Sequence, residues 1–170
     1  MVIIVTGAAG FLGSAITVDL ARTHRVVAID QRAPSDALKA AAVGSTWHRA
    51  DVSDGPTILN IFRETREHFG DIDTVVHFAA FYHFGTDWCP EYDRTNIRGT
   101  ETIVKSACKV GVKRIIFASS VAAMLPPMPG RCLTEESPTS DYIPYAKSKS
   151  IGEGLHRSFG HSQAASQNRC

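Results

Sequence analysis

The amino-acid sequence predicts an α/β fold in which helices cover both faces of a parallel, doubly wound sheet. Short segments rich in β-branched residues alternate with helical segments along most of the 170 residues, which is the pattern of parallel sheets. The first strand turns through glycines directly into a helix, and an aspartate ends the second strand. Because such sheets wind with right-handed crossovers, we expect about five strands in the order 3-2-1-4-5.

The first predicted strand, residues 2–5, leads into a glycine-rich turn. Gly7, Gly10 and Gly13 follow the strand and open a helix. Glycines let backbone N–H groups approach a phosphate closely, and the helix N-terminus adds a partial positive charge. The spacing differs from the best-known dinucleotide fingerprint, but its place between a strand and a helix predicts a dinucleotide site.

The second predicted strand, residues 25–29, ends at Asp30, about 20 residues beyond the glycines. A carboxylate at this place accepts the ribose hydroxyls and repels a 2′-phosphate, so we expect NAD as the cofactor rather than NADP. Arg32 argues the other way, since an arginine nearby can accommodate that phosphate.

The later elements place polar or small residues at the carboxyl ends of strands. Asp51 follows the third strand, Ala79 lies near the end of the fourth, and Ser120 follows the fifth. In a doubly wound sheet these ends meet at one edge, where ligands bind. The predicted segments are helix 36–43, strand 46–50, helix 54–69, strand 73–80, an aromatic-rich loop 81–90, helix 91–110, strand 113–118 and a last helix from about 142 to 159.

Tyr145 and Lys149 are candidates for proton transfer because they lie four residues apart, on one face of the last helix. An ammonium group beside a phenol favours the phenolate and lowers the phenol pKa towards the working range. Such a tyrosine can pass a proton to or from a substrate oxygen. Ser120 could hold the same oxygen, with Ser119 as the rival position. An ordinary amphipathic helix is the simpler alternative, and the sequence lacks the Gly-x-Ser-x-Gly motif of serine hydrolases.

Composition and charge argue against several classes of function. The formal net charge is +1, with no basic stripe, so we expect no nucleic-acid partner. The apolar run at the N-terminus is too short for a signal peptide or a membrane span. Four scattered cysteines suggest reduced thiols, a cytoplasmic location and no metal site. His77 is interpreted as a packed core histidine rather than a ligand.

Taken together, these motifs resemble the extended short-chain dehydrogenase/reductases, the NAD-dependent epimerase/dehydratase-like group. The resemblance implies a Rossmann-type domain and a nicotinamide cofactor, and it says little about the substrate. It rests on segments that appear in the family's order and spacing: Thr6–Gly13, Asp30, Asp51–Val52, His77–Ala80, Asn96–Thr100, Ser119–Ser120 and Tyr145–Lys149.

The resemblance also implies roles for individual residues. Phe11 and Leu12 would contact the pyrophosphate, and Asp30 would bind the adenosine ribose. Hydride would move between the substrate carbon and the nicotinamide ring while Tyr145 carries the proton. The other implied roles are Asp51 and Val52 at the adenine, Phe78, Ala79 and Ala80 against the cofactor, Asn96 as a support of the active site, Ser120 at the reacting carbon–oxygen bond, and Lys149 at the nicotinamide ribose.

The substrate is the least determined part of the prediction. The resemblance implies a small carbonyl or alcohol compound. The aromatic loop 81–90 suggests an apolar or ring-bearing ligand, although aromatic residues in loops are as often part of the packing. Val121–Met124 replaces the Val-Tyr-Gly that often follows the serines in the family, which favours a reductase over a sugar-nucleotide enzyme. Two alternatives to an active oxidoreductase, epimerase or dehydratase are a dinucleotide-binding module without turnover and an inactive fragment.

Members of the family continue well beyond the helix that carries Tyr145, with further strands and a small substrate domain. We therefore expect a truncated chain, with a cofactor-binding domain at 1–160 and a polar, disordered tail at 161–170. Strand 113–118 would then lie at an exposed edge, although its apolar sequence is that of a central strand. Long apolar edges recruit partners, so we expect copies of the chain to associate through it.

Overall fold

A computed structural model describes residues 1–83 and 85–167, with side chains up to Arg157. Its centre is a parallel five-stranded sheet in the order β3-β2-β1-β4-β5, which confirms the predicted topology. The strands are β1 Val2–Thr6, β2 Arg25–Asp30, β3 Thr46–Arg49, β4 Thr74–His77 and β5 Arg114–Phe117. The helices are α1 Phe11–Ala21, α2 Asp36–Ala41, α3 Gly55–Phe69, α4 Thr100–Val110 and α5 Pro144–Gln167.

β1 is the central strand, and all five of its residues are buried. Val5 pairs with Ala28 of β2 on one side and with Val76 of β4 on the other. Successive residues of a strand point to opposite faces, so the sheet has two apolar cores. One includes Ile4 and is closed by α3 and α4; the other includes Val5 and packs near α1. The sheet is therefore a rigid platform for the loops at its carboxyl edge.

Asp54 caps the start of α3. Asp54 accepts hydrogen bonds from the Thr57 backbone N–H at 3.2 Å and from the Thr57 hydroxyl at 2.7 Å, and Pro56 lies in the first turn. These bonds lower the pKa of the Asp54 carboxyl. Ser35 caps α2 in the same way through the Leu38 N–H. Both caps satisfy N–H groups that have no partner within the helix.

The segment before α4 is π-helical over Tyr92–Gly99, whereas the sequence predicts one regular helix from about residue 91. Gly99 lies tightly against the chain that follows β3: a Cβ at Gly99 would come within 2.6 Å of the Val52 side chain. Asn96 is turned inward and buried. Single π-helical turns recur at functional sites, and this one brings Thr95 and Asn96 to the carboxyl edge of the sheet.

β5 forms an edge of the sheet within the described part of the chain, because it pairs with β4 alone. Ile116 on this edge is 47% exposed. α5 packs against β5 and continues to Gln167, beyond the end expected near Phe159. Of the tail predicted at 161–170, residues 168–170 lie outside the described residues. Among the described helices, none is both long and apolar enough to cross a membrane.

Candidate cofactor and active site

The glycine turn after β1 has no room for side chains. Gly7 has a φ of +68°, and a Cβ there would lie 2.7 Å from the Ala79 nitrogen. A Cβ at Gly13 would come within 2.0 Å of the Gly7 carbonyl oxygen, and one at Gly10 within 3.0 Å. The turn therefore packs tightly against the end of β4 at Gly7 and against the first turn of α1 at Gly13. The N-terminus of α1 lies directly beside it.

Asp30 is buried at the tip of β2, and backbone donors hold its carboxylate. The Ala9 N–H donates to Oδ2 and the Arg32 N–H donates to Oδ1, each at 2.9 Å. The Arg32 guanidinium also lies 3.4 Å from Oδ1 through Nε. The carboxylate is thus fixed to the glycine turn itself, and the charge of Arg32 lies beside it on the solvent side.

These two features border a cleft of about 370 Å³ at the carboxyl edge of the sheet. Three further residues line the cleft without having been predicted from the sequence: Gln31, Ala50 and Thr95. Gln31 and Ala50 directly follow β2 and β3, and this position could have identified them. The predicted cofactor residues that line the cleft are Gly7, Gly10, Asp30, Arg32, Val52, Phe78, Ala79 and Ala80.

Other predicted cofactor residues lie near this cleft without lining it. Phe11 begins α1 and is 94% exposed, with Leu12 beside it. Gly13 lies beneath the turn. Asp51 accepts hydrogen bonds from the N–H and hydroxyl of Ser53 at 2.9 and 2.8 Å, and lies 3.7 Å from Arg94 Nε. Asp51 is thereby held in a polar network at the border of the cleft.

The cleft fits an adenine dinucleotide. A turn without β-carbons and a helix N-terminus suit a pyrophosphate, and an ionisable carboxyl at the end of the second strand suits a ribose diol. The apolar side chains of Ala50 and Val52 supply a surface for a flat ring. NAD carries these groups, so the residues present match it.

Tyr145 lies at the start of α5 and is 8% exposed. Burial raises the pKa of its phenol, a hydrogen bond with the Ser120 side chain opposes this, and nearby Tyr82 adds to the rise. Ser120 Oγ also accepts the Ala122 N–H at 3.2 Å. Ser119 instead donates to Glu153 of α5. The structure therefore brings Ser120, and not Ser119, to Tyr145.

The Tyr145 pKa is raised, whereas the sequence predicts a lowered one, so that part of the prediction is wrong. The Lys149 ammonium lies 4.3 Å from the centre of the Phe117 ring on β5. Burial lowers the Lys149 pKa to about 8. Helical spacing predicts that Tyr145 and Lys149 share one face of α5. It does not predict that the Lys149 ammonium packs on the Phe117 ring. The net result is a phenol with a raised pKa, which stays protonated at neutral pH.

Asn96 is buried behind the site and joins two elements. Its side-chain oxygen accepts the Phe81 N–H at 2.7 Å, and its amide nitrogen donates to the Phe81 carbonyl at 3.0 Å and to Ser148 Oγ at 2.8 Å. Ser148 Oγ in turn donates to the Tyr145 carbonyl. Asn96 therefore ties the chain after β4 to the first turn of α5, the supporting place that the family resemblance implies.

His77 is a packed core histidine, as the sequence predicts. Its Nδ1 lies 2.6 Å from Thr6 Oγ1 and its Nε2 lies 3.1 Å from Thr100 Oγ1. Burial lowers the pKa of His77 to about 3, and the neighbouring His156 and Lys149 add to this. Thr6 Oγ1 also accepts the Ala79 N–H at 3.3 Å. The neutral ring thus links β1, β4 and α4 directly beneath the cleft.

Comparison with known proteins places this arrangement in an enzyme family. A model of the NAD dependent epimerase/dehydratase family matches residues 3–166. UDP-glucose 4-epimerase 4 of Oryza sativa subsp. japonica is 31% identical over 175 residues, covering 95% of this chain and 46% of the relative. A UDP-glucose 4-epimerase of Bacillus subtilis is 30% identical over 166 residues, covering 92% of this chain and 47% of the relative.

Solved structures agree with this result. A UDP-glucose 4-epimerase of Thermus thermophilus in complex with NAD matches with a TM-score of 0.78 and 28% identity, over 95% of this chain and 51% of that one. MoeE5 in complex with UDP-glucose and NAD matches with a TM-score of 0.76 and 28% identity, over 94% of this chain and 49% of that one. This chain therefore spans about half the length of the relatives it matches.

These comparisons test the predictions about fold class, cofactor and family. The fold class is confirmed, as is NAD as the cofactor of the family. The relatives are named UDP-glucose 4-epimerases, which does not support the preference for a reductase drawn from Val121–Met124. The match over residues 3–166 covers nearly all of the sequence, and the chain belongs to the NAD dependent epimerase/dehydratase family.

Proposed function

We propose that this chain binds NAD and supplies the proton-transfer group for hydride transfer at a hydroxyl-bearing carbon of a nucleotide sugar. The observation that carries the proposal is the Tyr145–Ser120 hydrogen bond at the same sheet edge as the glycine turn and Asp30. Binding and proton transfer would thus share one platform. The relatives named UDP-glucose 4-epimerases, and the neighbour bound to UDP-glucose, support the substrate class.

The glycine turn and Asp30 would hold the cofactor. Backbone N–H groups at the start of α1 would face its pyrophosphate, and the Asp30 carboxylate would accept the adenosine ribose hydroxyls. Asp30 already accepts two backbone N–H groups, so its carboxylate is oriented before binding. Bound NAD supplies a nicotinamide ring that accepts or returns a hydride.

Tyr145 would move the proton at the reacting oxygen of the substrate. Its raised pKa keeps the phenol protonated at rest, so it is set to donate a hydrogen bond or a proton to a carbonyl oxygen. Ser120 would hold the same oxygen through its hydroxyl. In the oxidising direction the phenol must first lose its proton, and a cation brought near it would favour that loss.

A dinucleotide-binding module without turnover is the second candidate. The raised pKa of Tyr145 favours it, because a phenol that keeps its proton cannot accept one from a substrate hydroxyl. Binding of NAD depends on residues of the cleft and does not require Tyr145 to ionise. The two candidates therefore differ in turnover and not in NAD affinity.

The test combines an NAD titration with an epimerisation assay on UDP-glucose. The proposal expects NAD binding, interconversion of UDP-glucose and UDP-galactose, and a loss of about 10²–10⁴ in rate for Tyr145→Phe with NAD affinity unchanged. Tyr142→Phe is the matched control, since this exposed tyrosine lies three residues earlier. NAD binding without any turnover would favour the second candidate, and a rate loss below tenfold in Tyr145→Phe would exclude Tyr145 as the proton carrier.

A further inference from the structure

Phe117, the last residue of β5, lies among basic side chains from two neighbouring elements. The Lys149 ammonium of α5 lies over its ring, 4.3 Å from the ring centre. The His156 ring, also of α5, stacks on it with ring centres 4.4 Å apart and an angle of 24° between the planes. His77 of β4 lies beside it at 5.9 Å and 26°. Phe117 thus connects the sheet to the helix that carries Tyr145.

The ring of Phe117 is held in place from both sides. His77 forms hydrogen bonds with Thr6 and Thr100, so the imidazole beside the ring is fixed. On the side of α5, a Cβ at Gly152 would lie 2.7 Å from Phe117 Cζ and 3.3 Å from Cε1. The ring therefore fills the space that a side chain at Gly152 would need. Contact between β5 and α5 sets the position of the ring and of the groups that pack on it.

Lys149 brings a positive charge to this ring at neutral pH, whereas the two histidines do not. Burial lowers the pKa of His77 to about 3 and the pKa of His156 to about 4, so both imidazoles are neutral. Burial also lowers the Lys149 pKa to about 8, and the charge of Glu153 opposes this, so most of the amine stays protonated. An aromatic face attracts a cation. The ring therefore stabilises a charge that burial disfavours.

The ring stabilises the ammonium without using its hydrogen-bond donors. Lys149 is 4% exposed, and within the part of the chain that the structure describes its ammonium forms no hydrogen bond or salt bridge. Glu153 lies one turn later on α5, but it accepts a hydrogen bond from the Ser119 hydroxyl and lies 3.6 Å from Arg157 Nη2. A carboxylate would occupy N–H groups of the ammonium, whereas a ring face leaves them free. A buried ammonium with free donors suits an oxygen of a bound molecule.

We propose that Phe117 is a positioning residue whose ring holds the Lys149 ammonium ready to donate to an oxygen in the nicotinamide half of NAD. This inference rests on the proposed function, in which that half of the cofactor lies beside Tyr145, one helical turn before Lys149. Phe117 itself contacts no ligand and acts through Lys149. Without the ring, the ammonium would turn to water or to Glu153, and the chain would have to reorder it on binding.

The test is a double-mutant cycle on NAD affinity, measured by isothermal titration. In the wild-type background, Phe117→Leu should weaken NAD binding about two- to thirtyfold, the range of one cation–π contact. In the Lys149→Met background the same substitution should leave NAD affinity unchanged, because the group that the ring holds is already absent. A merely structural role of Phe117 would produce the same loss in both backgrounds.

Two glycine substitutions in α5 supply a matched pair. Gly152→Ala pushes the ring away from the helix, whereas a Cβ at Gly154 meets no atom within 4 Å. In the NMR spectrum of the free chain, the ring current of Phe117 should shift the Lys149 Cε protons upfield, and Lys149→Met assigns this signal. Phe117→Leu should abolish the shift. Gly152→Ala should reduce it and weaken NAD binding, whereas Gly154→Ala should retain both, and circular dichroism checks that each variant is folded.

Three results would overturn the inference. If the wild type shows no lysine signal shifted upfield, the ammonium does not lie over the ring. If Lys149→Met binds NAD as tightly as the wild type, Lys149 does not hold the cofactor, while binding through the glycine turn and Asp30 stands. If Phe117→Leu weakens NAD binding equally with and without Lys149, Phe117 does not act through that residue. A wild-type chain that binds no NAD would instead refute the proposed function, and the inference with it.

Discussion

A single methyl group added at Gly13 tests whether the tight glycine turn is required for cofactor binding. In the Gly13→Ala variant the new Cβ would lie 2.0 Å from the Gly7 carbonyl oxygen and 3.0 Å from Ala8 Cα. A Cβ this close to a backbone oxygen cannot be accommodated without movement, and both of these atoms belong to the backbone. Either α1 must move away from the sheet or the Gly7 peptide must rotate.

The expected effect on stability is a difference between two terms. Overpacking of this kind costs about 1–3 kcal/mol, whereas alanine is favoured over glycine in a helix by about 1 kcal/mol. We expect the free energy of unfolding to fall by up to about 2 kcal/mol. NAD affinity should fall by more than about tenfold, because the N–H groups that face the pyrophosphate move with the turn.

Gly154→Ala is the matched control, since Gly154 is also helical and a Cβ there meets no atom within 4 Å. This variant should be as stable as the wild type or more stable, by up to about 1 kcal/mol, and should bind NAD equally well. Urea unfolding and isothermal titration with NAD measure both quantities. If Gly13→Ala matched Gly154→Ala in both measurements, the argument from the closed turn would be refuted.

Three further predictions address the cofactor, a buried cation and the sheet edge. Asp30→Ala should lower the preference for NAD over NADP, because the carboxylate that repels a 2′-phosphate is removed and Arg32 remains. Parallel titrations with both cofactors measure the ratio of the two affinities, and an unchanged ratio would contradict the role of Asp30. Folding lowers the Lys149 pKa from 10.5 to about 8, so the unfolded chain binds more protons than the folded chain between these two pH values. The free energy of unfolding of the wild type should therefore rise with pH across that range. Urea titrations of Lys149→Met should show no such rise, and a pH dependence identical to that of the wild type would contradict the burial of the ammonium. Copies of the 170-residue chain should associate through β5. The molar mass measured by light scattering should fall towards that of the monomer in Ile116→Lys, and an equal mass for both proteins would exclude this edge as the contact.

The fold was predictable because its signals are local. Apolar segments, the glycines at 7, 10 and 13, and the aspartate at the end of β2 determine a strand–turn–helix–strand unit, and general rules of handedness then order the sheet. Asp54 and Pro56 at the start of α3 are local signals of the same kind. Most residues of the cleft followed from this order, because the carboxyl ends of parallel strands meet at one edge.

The direction of side chains at the reaction site was not predictable in the same way. Helical spacing brings Tyr145 and Lys149 to one face, but it does not show that the Lys149 ammonium packs on the Phe117 ring of β5. The choice between Ser119 and Ser120 depends on Glu153, which lies 34 residues from Ser119 along the chain. Such contacts between distant elements depend on packing, and no local pattern in the sequence encodes them.

The π-helical turn before α4 and the place of Tyr82 belong to the same class. A run of aromatic residues after β4 indicated a ring-bearing ligand or simple packing, without distinguishing the two. The structure divides the run: Phe81 packs inside on Tyr92, and Tyr82 faces outward over Tyr145. The hydrogen bonds that Asn96 and Tyr92 make to the backbone of residues 81 and 83 start from the π-helical segment 92–99.

A crystal structure of the chain with NAD tests the central claim most directly. We expect the pyrophosphate against the backbone of the Gly7–Phe11 turn and both adenosine ribose hydroxyls within hydrogen-bond distance of the Asp30 carboxylate. We also expect the nicotinamide end on the side of Tyr145 and Ser120. A cofactor bound elsewhere, or bound with its ribose away from Asp30, would contradict the proposed binding of NAD.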